Sequence, residues 1–171
     1  MYQITKPDVD MSERSPLILP EHHAVNILLM NPAHKSILQE RDDKEGIYSP
    51  GEYSMWGGGV EPGESALEAG MRELFEETGL TPSAEEFKLF ARYRRFACQL
   101  GKEVLNITND MFVIYGQDEA EVQVLEGKRA VLLDRHDGAT NQKCTKMTRR
   151  ALHDYNRNQW IRPIEWRETR L

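Results

Sequence analysis

The chain is poor in the residues that would announce several common classes of protein. It has only two cysteines, Cys98 and Cys144, in 171 residues. That is too few for a disulfide framework, and both read as reduced thiols. Its five histidines, His22, His23, His34, His136 and His153, show no zinc-ligand spacing. No apolar run is long enough to cross a bilayer, the longest lying around Val25–Met30. The first residues lack the basic start and apolar core of a signal peptide, so a cytoplasmic protein without a membrane partner is expected. Basic residues are outnumbered, 22 against 28 acidic, for a net charge of −6. That balance argues against an extended nucleic-acid-binding surface. Internal repeats and low-complexity segments are absent.

Against this background one segment stands out, the run Gly58–Leu80, GGVEPGESALEAGMRELFEETGL. It sets Glu73, Glu76 and Glu77 within a turn and a half of predicted helix. Like charges three or four residues apart cost roughly 0.2–0.5 kcal/mol each on an open helix. A cation among the carboxylates would remove that cost, so a metal site is the first hypothesis.

The helix itself follows from local rules. Ser65 with Glu68 three residues on is a capping-box signature, and Gly79 followed by Pro82 is a stop signal. The predicted helix spans about Ala66 to Thr78. Leu67, Gly70, Met71, Leu74 and Thr78 recur along one stripe that faces a core. At 3.6 residues per turn the three glutamates share a sector of about 100° beside that stripe. Glu77 lies nearest the apolar edge and Glu76 farthest out. Oxygen ligands of this kind suit Mg²⁺ or Mn²⁺ better than zinc. Upstream, Trp56-Gly57-Gly58-Gly59 and Pro62-Gly63 form a glycine-rich loop able to aim backbone groups at a cation or phosphate. A solvated acidic helix after a flexible turn is the plain alternative, and Glu64 and Arg72 at their fixed spacings weigh against it.

Gly58–Leu80 resembles the signature of the Nudix hydrolases, Gly-x5-Glu-x7-Arg-Glu-U-x-Glu-Glu-x-Gly-U, with U a bulky aliphatic residue. Gly58, Glu64, Arg72, Glu73, Leu74, Glu76, Glu77, Gly79 and Leu80 match every specified position. Ile37–Arg41 resembles the strand before the box, and the likeness runs from roughly His22 to Arg135. Trp56 departs from the proline that many members carry there.

The resemblance implies an α/β protein with the Nudix α/β/α sandwich around a central mixed sheet. It implies a metal-dependent pyrophosphohydrolase that cleaves a phosphoanhydride bond in a nucleoside diphosphate derivative, a nucleoside triphosphate or a nucleotide sugar. Carried over, Glu73, Glu76, Glu77 and the Gly57 carbonyl are the expected ligands of Mg²⁺ (or Mn²⁺). Glu64 and Arg72 are an expected structural ion pair, and Gly79 ends the helix. The general base is open among Glu76, Glu73 and Glu126, the last lying in Leu125-Glu126-Gly127-Lys128. Arg41, Trp56, Gly58 and Gly59 are expected to meet the substrate, with a solvent-facing strand-end arginine the alternative for Arg41 and a tryptophan bordering the core the alternative for Trp56. Arg92, Tyr93, Arg94 and Arg95 suggest a cationic, aromatic wall, although strand alternation lets at most two of them line one surface.

Two other classes are weighed. A non-catalytic nucleotide sensor of the same fold has no need of the full carboxylate set. A diphosphate isomerase needs a further acid–base residue, for which only the weak candidate Cys98 offers itself. Sub-family markers for ADP-ribose, dinucleoside polyphosphates, coenzyme A and NADH are missing or out of register, leaving the substrate open. A homodimer is among the expected states, because many members of the family dimerise.

Along the rest of the chain, residues 1–21 read as an irregular arm with a short strand at Leu17–Leu19, and 22–171 as a single domain. Val25–Met30, Ser36–Arg41, Tyr53–Trp56, Phe87–Gln99, Val104–Tyr115, Val122–Leu125 and Ala130–Leu133 read as strands. Cys144 to Asn156 reads as a second packing helix, with Met147, Ala151, Leu152 and Tyr155 inward and Lys143, Lys146, Arg149 and Arg150 in solvent.

Overall fold

In the computed structural model, residues 21–100, 103–157 and 167–168 are described, with 96–100, 103–105 and 167–168 described by backbone alone. Residues 1–20 of the expected N-terminal arm, with its short strand, and the Cys98 side chain therefore lie outside what is described, whereas Glu21 already belongs to the first strand.

A mixed sheet forms the centre. Strands β1 (Glu21–Met30), β2 (Lys35–Glu40), β3 (Tyr53–Ser54), β4 (Lys88–Leu100), β5 (Glu103–Tyr115), β6 (Arg129–Asp134) and β7 (Arg167–Glu168) lie in the order β3-β2-β1-β5-β4-β7, with β6 paired to β2. β1 runs parallel to β5 along its whole length, from Glu21 opposite Asn106 to Met30 opposite Tyr115. β4 and β5 form the expected antiparallel hairpin.

Period-two alternation sorts β1 between two apolar layers. Val25, Ile27 and Leu29 pack with Ala69 and Leu74 of helix α1 (Ala66–Thr78) on one face. Leu28 and Met30 pack with Ala151, Leu152 and Tyr155 of helix α3 (Lys146–Arg157) on the other. A short helix α2 (Arg135–Thr140) precedes α3. The architecture is the α/β/α sandwich. Lys143 and Arg149 are not purely solvated: Lys143 reaches Glu40 and lies over the Tyr53 ring, while Arg149 donates to the Cys144 carbonyl.

One predicted strand is corrected. Val122–Leu125 alternates like a strand but joins no sheet. Its amides instead satisfy the carbonyls left over at the end of α1, Gln123 N–H donating to Thr78 O (3.1 Å) and Leu125 N–H to Glu77 O (2.9 Å).

Candidate active site

Helix α1 starts and stops on local chemistry. The Ser65 hydroxyl accepts from Glu68 N–H, the Glu68 carboxylate accepts from Ser65 N–H, and Gly79 closes the helix in the left-handed region at φ 70°. Because the start is fixed, so is the rotation of the helix about its axis, and that sets the exposure of its carboxylates. Glu77 is 5% exposed, whereas the side chains of Glu73 and Glu76 are 16% and 55% exposed. The gradient is the one the helical repeat predicts.

The glycine loop lies as an irregular extension along β1. Val25 N–H donates to Gly58 O, Ile27 N–H to Trp56 O, and Val60 N–H to His23 O. Gly57, at φ 123°, sits so tightly on β1 that a Cβ would collide with the Val25 carbonyl. Its N–H donates to Glu77 Oε2 at 2.7 Å. A Cβ on Gly58 would lie 2.6 Å from the Glu73 carboxylate. Both glycines are thus needed for the loop to meet the helix carboxylates.

Arg72 ties the loop to the helix. Its Nε and one Nη donate to Glu64 (2.7 and 3.0 Å), and the same Nη reaches Gly59 O at 2.9 Å. The other Nη donates to Glu73 (2.9 Å) and Glu76 (3.1 Å). The Glu64–Arg72 ion pair expected from the sequence is present. The guanidinium, with help from Glu61 N–H, holds the Glu64 carboxyl down at about 2.

The buried end of the group is electrically unsatisfied. Burial, opposed by the Gly57 N–H and reinforced by the charges of Glu126 and Glu73, pushes the Glu77 carboxyl up to about 8. Burial also raises Glu73, against the pull of Arg72. Glu126 comes from the 122–128 loop, where its carbonyl shares the Gln39 amide with the Glu77 carboxylate, and its charge acts on both Glu73 and Glu77.

The donor chemistry fits a hard divalent cation: carboxylate oxygens, with Gly57 alongside. The Trp56 and Gly58 carbonyls are engaged by β1 and that of Gly59 by Arg72. Among the described residues nothing donates to the Gly57 carbonyl. Among the described residues, too, no three His, Cys, Asp or Glu side chains converge as a ready-made metal cage.

Two expectations for the substrate side are corrected. Trp56 is fully buried, packed among Ile27, Ile37 and Leu74, and its indole N–H is donated to Ile37 O at 2.9 Å. It has no face to offer a nucleobase. Tyr93 is likewise buried, on the α3 side, with its hydroxyl donated to Asp154, and Arg92 is paired with Asp110. The core claims Tyr93 and the Asp110 carboxylate engages Arg92, so Tyr93 offers no aromatic face beside that arginine. Arg41 lies just past β2 and donates its Nε to the Tyr48 carbonyl at 2.8 Å, bracing the loop at 42–50.

The sequence reading missed Gln39. It is a buried strand residue that donates to Glu77 Oε1 (3.4 Å) and to the Glu126 carbonyl (2.9 Å). A lone amide inside the apolar run of β2 was the available signal.

The chain matches the NUDIX domain over residues 20–143. Solved structures agree on the fold. A MutT protein from Methanosarcina mazei Go1 superposes with a TM-score of 0.66 at 19% identity, covering 82% of this chain and 96% of that one. The Escherichia coli dihydroneopterin triphosphate pyrophosphohydrolase gives 0.64 at 21% identity, covering 80% and 95%. A Caenorhabditis elegans Ap4A hydrolase complex gives 0.59 at 17% identity, covering 81% and 97%. No curated protein matches the chain. The chain belongs to the NUDIX family, and so to the hydrolases of phosphoanhydride bonds. Among the described residues no helix is long and apolar enough to cross a membrane.

Proposed function

We propose that the protein is a Mg²⁺- or Mn²⁺-dependent pyrophosphohydrolase of nucleoside diphosphate derivatives, with nucleoside triphosphates and nucleotide sugars as the substrate classes. The observation that carries this reading is that the glycine loop closes on two helix carboxylates, Gly57 N–H donating to Glu77 and Gly58 lying against Glu73. Of the three helix glutamates Arg72 reaches Glu73 and Glu76, and Glu77 is left in a buried, negatively charged surrounding.

Glu73, Glu76, Glu77 and the Gly57 carbonyl would hold the cation. When bound, it neutralises the phosphate charge and stabilises the departing phosphate. Arg72 and Glu64 keep the loop against the helix. Glu126, or one of Glu73 and Glu76, accepts a proton from the attacking water. The water oxygen then bonds to phosphorus as the anhydride P–O bond breaks, giving two phosphate-bearing products. Glu126 is exposed and carried on a loop, which suits a group that must meet water. The neighbours' names include a triphosphate pyrophosphohydrolase and an Ap4A hydrolase, which supports the reaction class and leaves the nucleotide open.

The test is a panel of nucleoside triphosphates and nucleotide sugars incubated with Mg²⁺, the products being identified by mass. Hydrolysis of at least one compound into two phosphate-bearing products is expected. If every compound stays intact while one of them binds tightly, the protein is a nucleotide sensor instead.

A further inference from the structure

We propose that Gln39 is a positioning residue of this site, its buried amide holding the loop that carries Glu126 in register with the Glu77 carboxylate. The consequence for turnover rests on the hydrolytic reading above, whereas the clamp itself rests on geometry alone.

Gln39 is 2% exposed in the middle of β2. An amide removed from water needs acceptors for both hydrogens of its nitrogen. Here the two acceptors belong to different elements. One is the Glu126 carbonyl, at 2.9 Å, on the 122–128 loop. The other is Glu77 Oε1, at 3.4 Å, on α1. A single planar group therefore spans the two parts of the site that the chain brings together from 49 residues apart in sequence, by the numbers of Glu77 and Glu126.

The loop is shaped to reach that amide. Lys128 N–H donates to Glu40 O at 2.8 Å, and Leu125 N–H to Glu77 O at 2.9 Å, so Glu126 is strung between β2 and the end of α1. Gly127, at φ 89°, presses on Gln39 so closely that a Cβ would lie 2.8 Å from Gln39 Cγ and 3.0 Å from the Glu40 carbonyl. Only glycine permits both that φ and that approach. Glu126 has an exposed side chain on a loop without sheet pairing, and its fixed place beside Glu77 comes from these backbone anchors. The Gln39 bond is the anchor closest to Glu126 itself. A buried polar group that is merely satisfied would have no need to join those two acceptors.

Gln39→Met keeps the length of the side chain and removes the donor. In the cation-free protein, hydrogen exchange at the amides of residues 125–128 is expected to speed up while the interior amides of α1 keep their protection. With Mg²⁺ and a hydrolysed nucleotide, kcat is expected to fall about 10–100-fold with KM within about twofold. In a Glu126→Gln background the same replacement is expected to change kcat little, because the carboxylate being positioned is already gone. Gly127→Ala, which pushes on Gln39 from the loop side, is expected to reproduce the Gln39→Met pattern, and it serves as the test if Gln39→Met does not fold. Unchanged exchange at 125–128 overturns the clamp. A kcat loss of equal size in the Glu126→Gln background overturns the positioning role. If the wild type hydrolyses no compound, the hydrolytic reading falls, and the exchange comparison alone decides the clamp.

Discussion

Arg72 uses all five of its N–H donors: two on Glu64, one each on Glu73, Glu76 and the Gly59 carbonyl. No other side chain combines a planar fork with that many donors, so lysine cannot replace it. Arg72→Lys is expected to lower the thermal midpoint by roughly several degrees and to loosen the glycine loop, which proteolysis or exchange at Gly57–Gly59 would register. Its partner Glu64 sets an acid limit. The folded carboxyl titrates near 2 against an ordinary 4.5. The stability it contributes is therefore complete above pH 4.5 and lost as pH falls from there toward 2. Denaturant melts of wild type and Glu64→Gln should converge across that window and differ above it. Glu77 has the opposite sign. Its folded carboxyl is raised to about 8, so in the absence of a cation it costs stability as pH rises from 4.5 through 8. With a chelator present, Glu77→Gln is expected to be more stable than wild type at pH 9 and to lose that advantage at pH 4. A wild-type protein that gains stability over this rise, relative to Glu77→Gln, would contradict the burial argument.

At the scale of elements, α1 was legible in the sequence to the residue, because both of its ends are written in local chemistry. Ser65→Ala should cost about 1 kcal/mol by removing the cap. Gly79→Ala should cost about 1–2 kcal/mol by placing a Cβ in the left-handed region. Chemical denaturation measures both. The order of exposure among Glu73, Glu76 and Glu77 was legible for the same reason, being fixed by the helical repeat once the buried stripe is known. What failed was anything decided by a partner distant in sequence. Val122 and Val124 alternate with polar residues as a strand would. Their segment became a loop because the end of α1 offered its amides carbonyl acceptors. Helix α2 is only six residues of polar sequence, too short for a periodicity to show, and depends on the Asp134 cap and on Gly138 meeting Leu152. Trp56 was expected at the substrate wall from its place before the glycines. The bridge between Trp56 and Ile27 turns its ring into the core instead.

At the scale of the molecule, the sheet acts as the frame on which two distant stretches are registered. β1 holds the glycine loop, α1 packs over its outer face, and β2 with its neighbouring loop brings up Glu126. The surface proposed to meet the substrate was the least legible part, since residues chosen for their chemistry, Trp56 and Tyr93, are consumed by packing. The cation dependence proposed above would be a property of the assembled whole, since its candidate ligands come from the glycine loop and from α1. The most direct test of the account is turnover of the best panel substrate against Mg²⁺ concentration, for wild type and for Glu76→Gln and Glu77→Gln variants shown by circular dichroism to be folded. The account predicts wild-type turnover that disappears on chelation and returns with Mg²⁺ or Mn²⁺, and a loss of orders of magnitude in both variants. Turnover that persists in chelator, or that survives in folded Glu77→Gln, would contradict it.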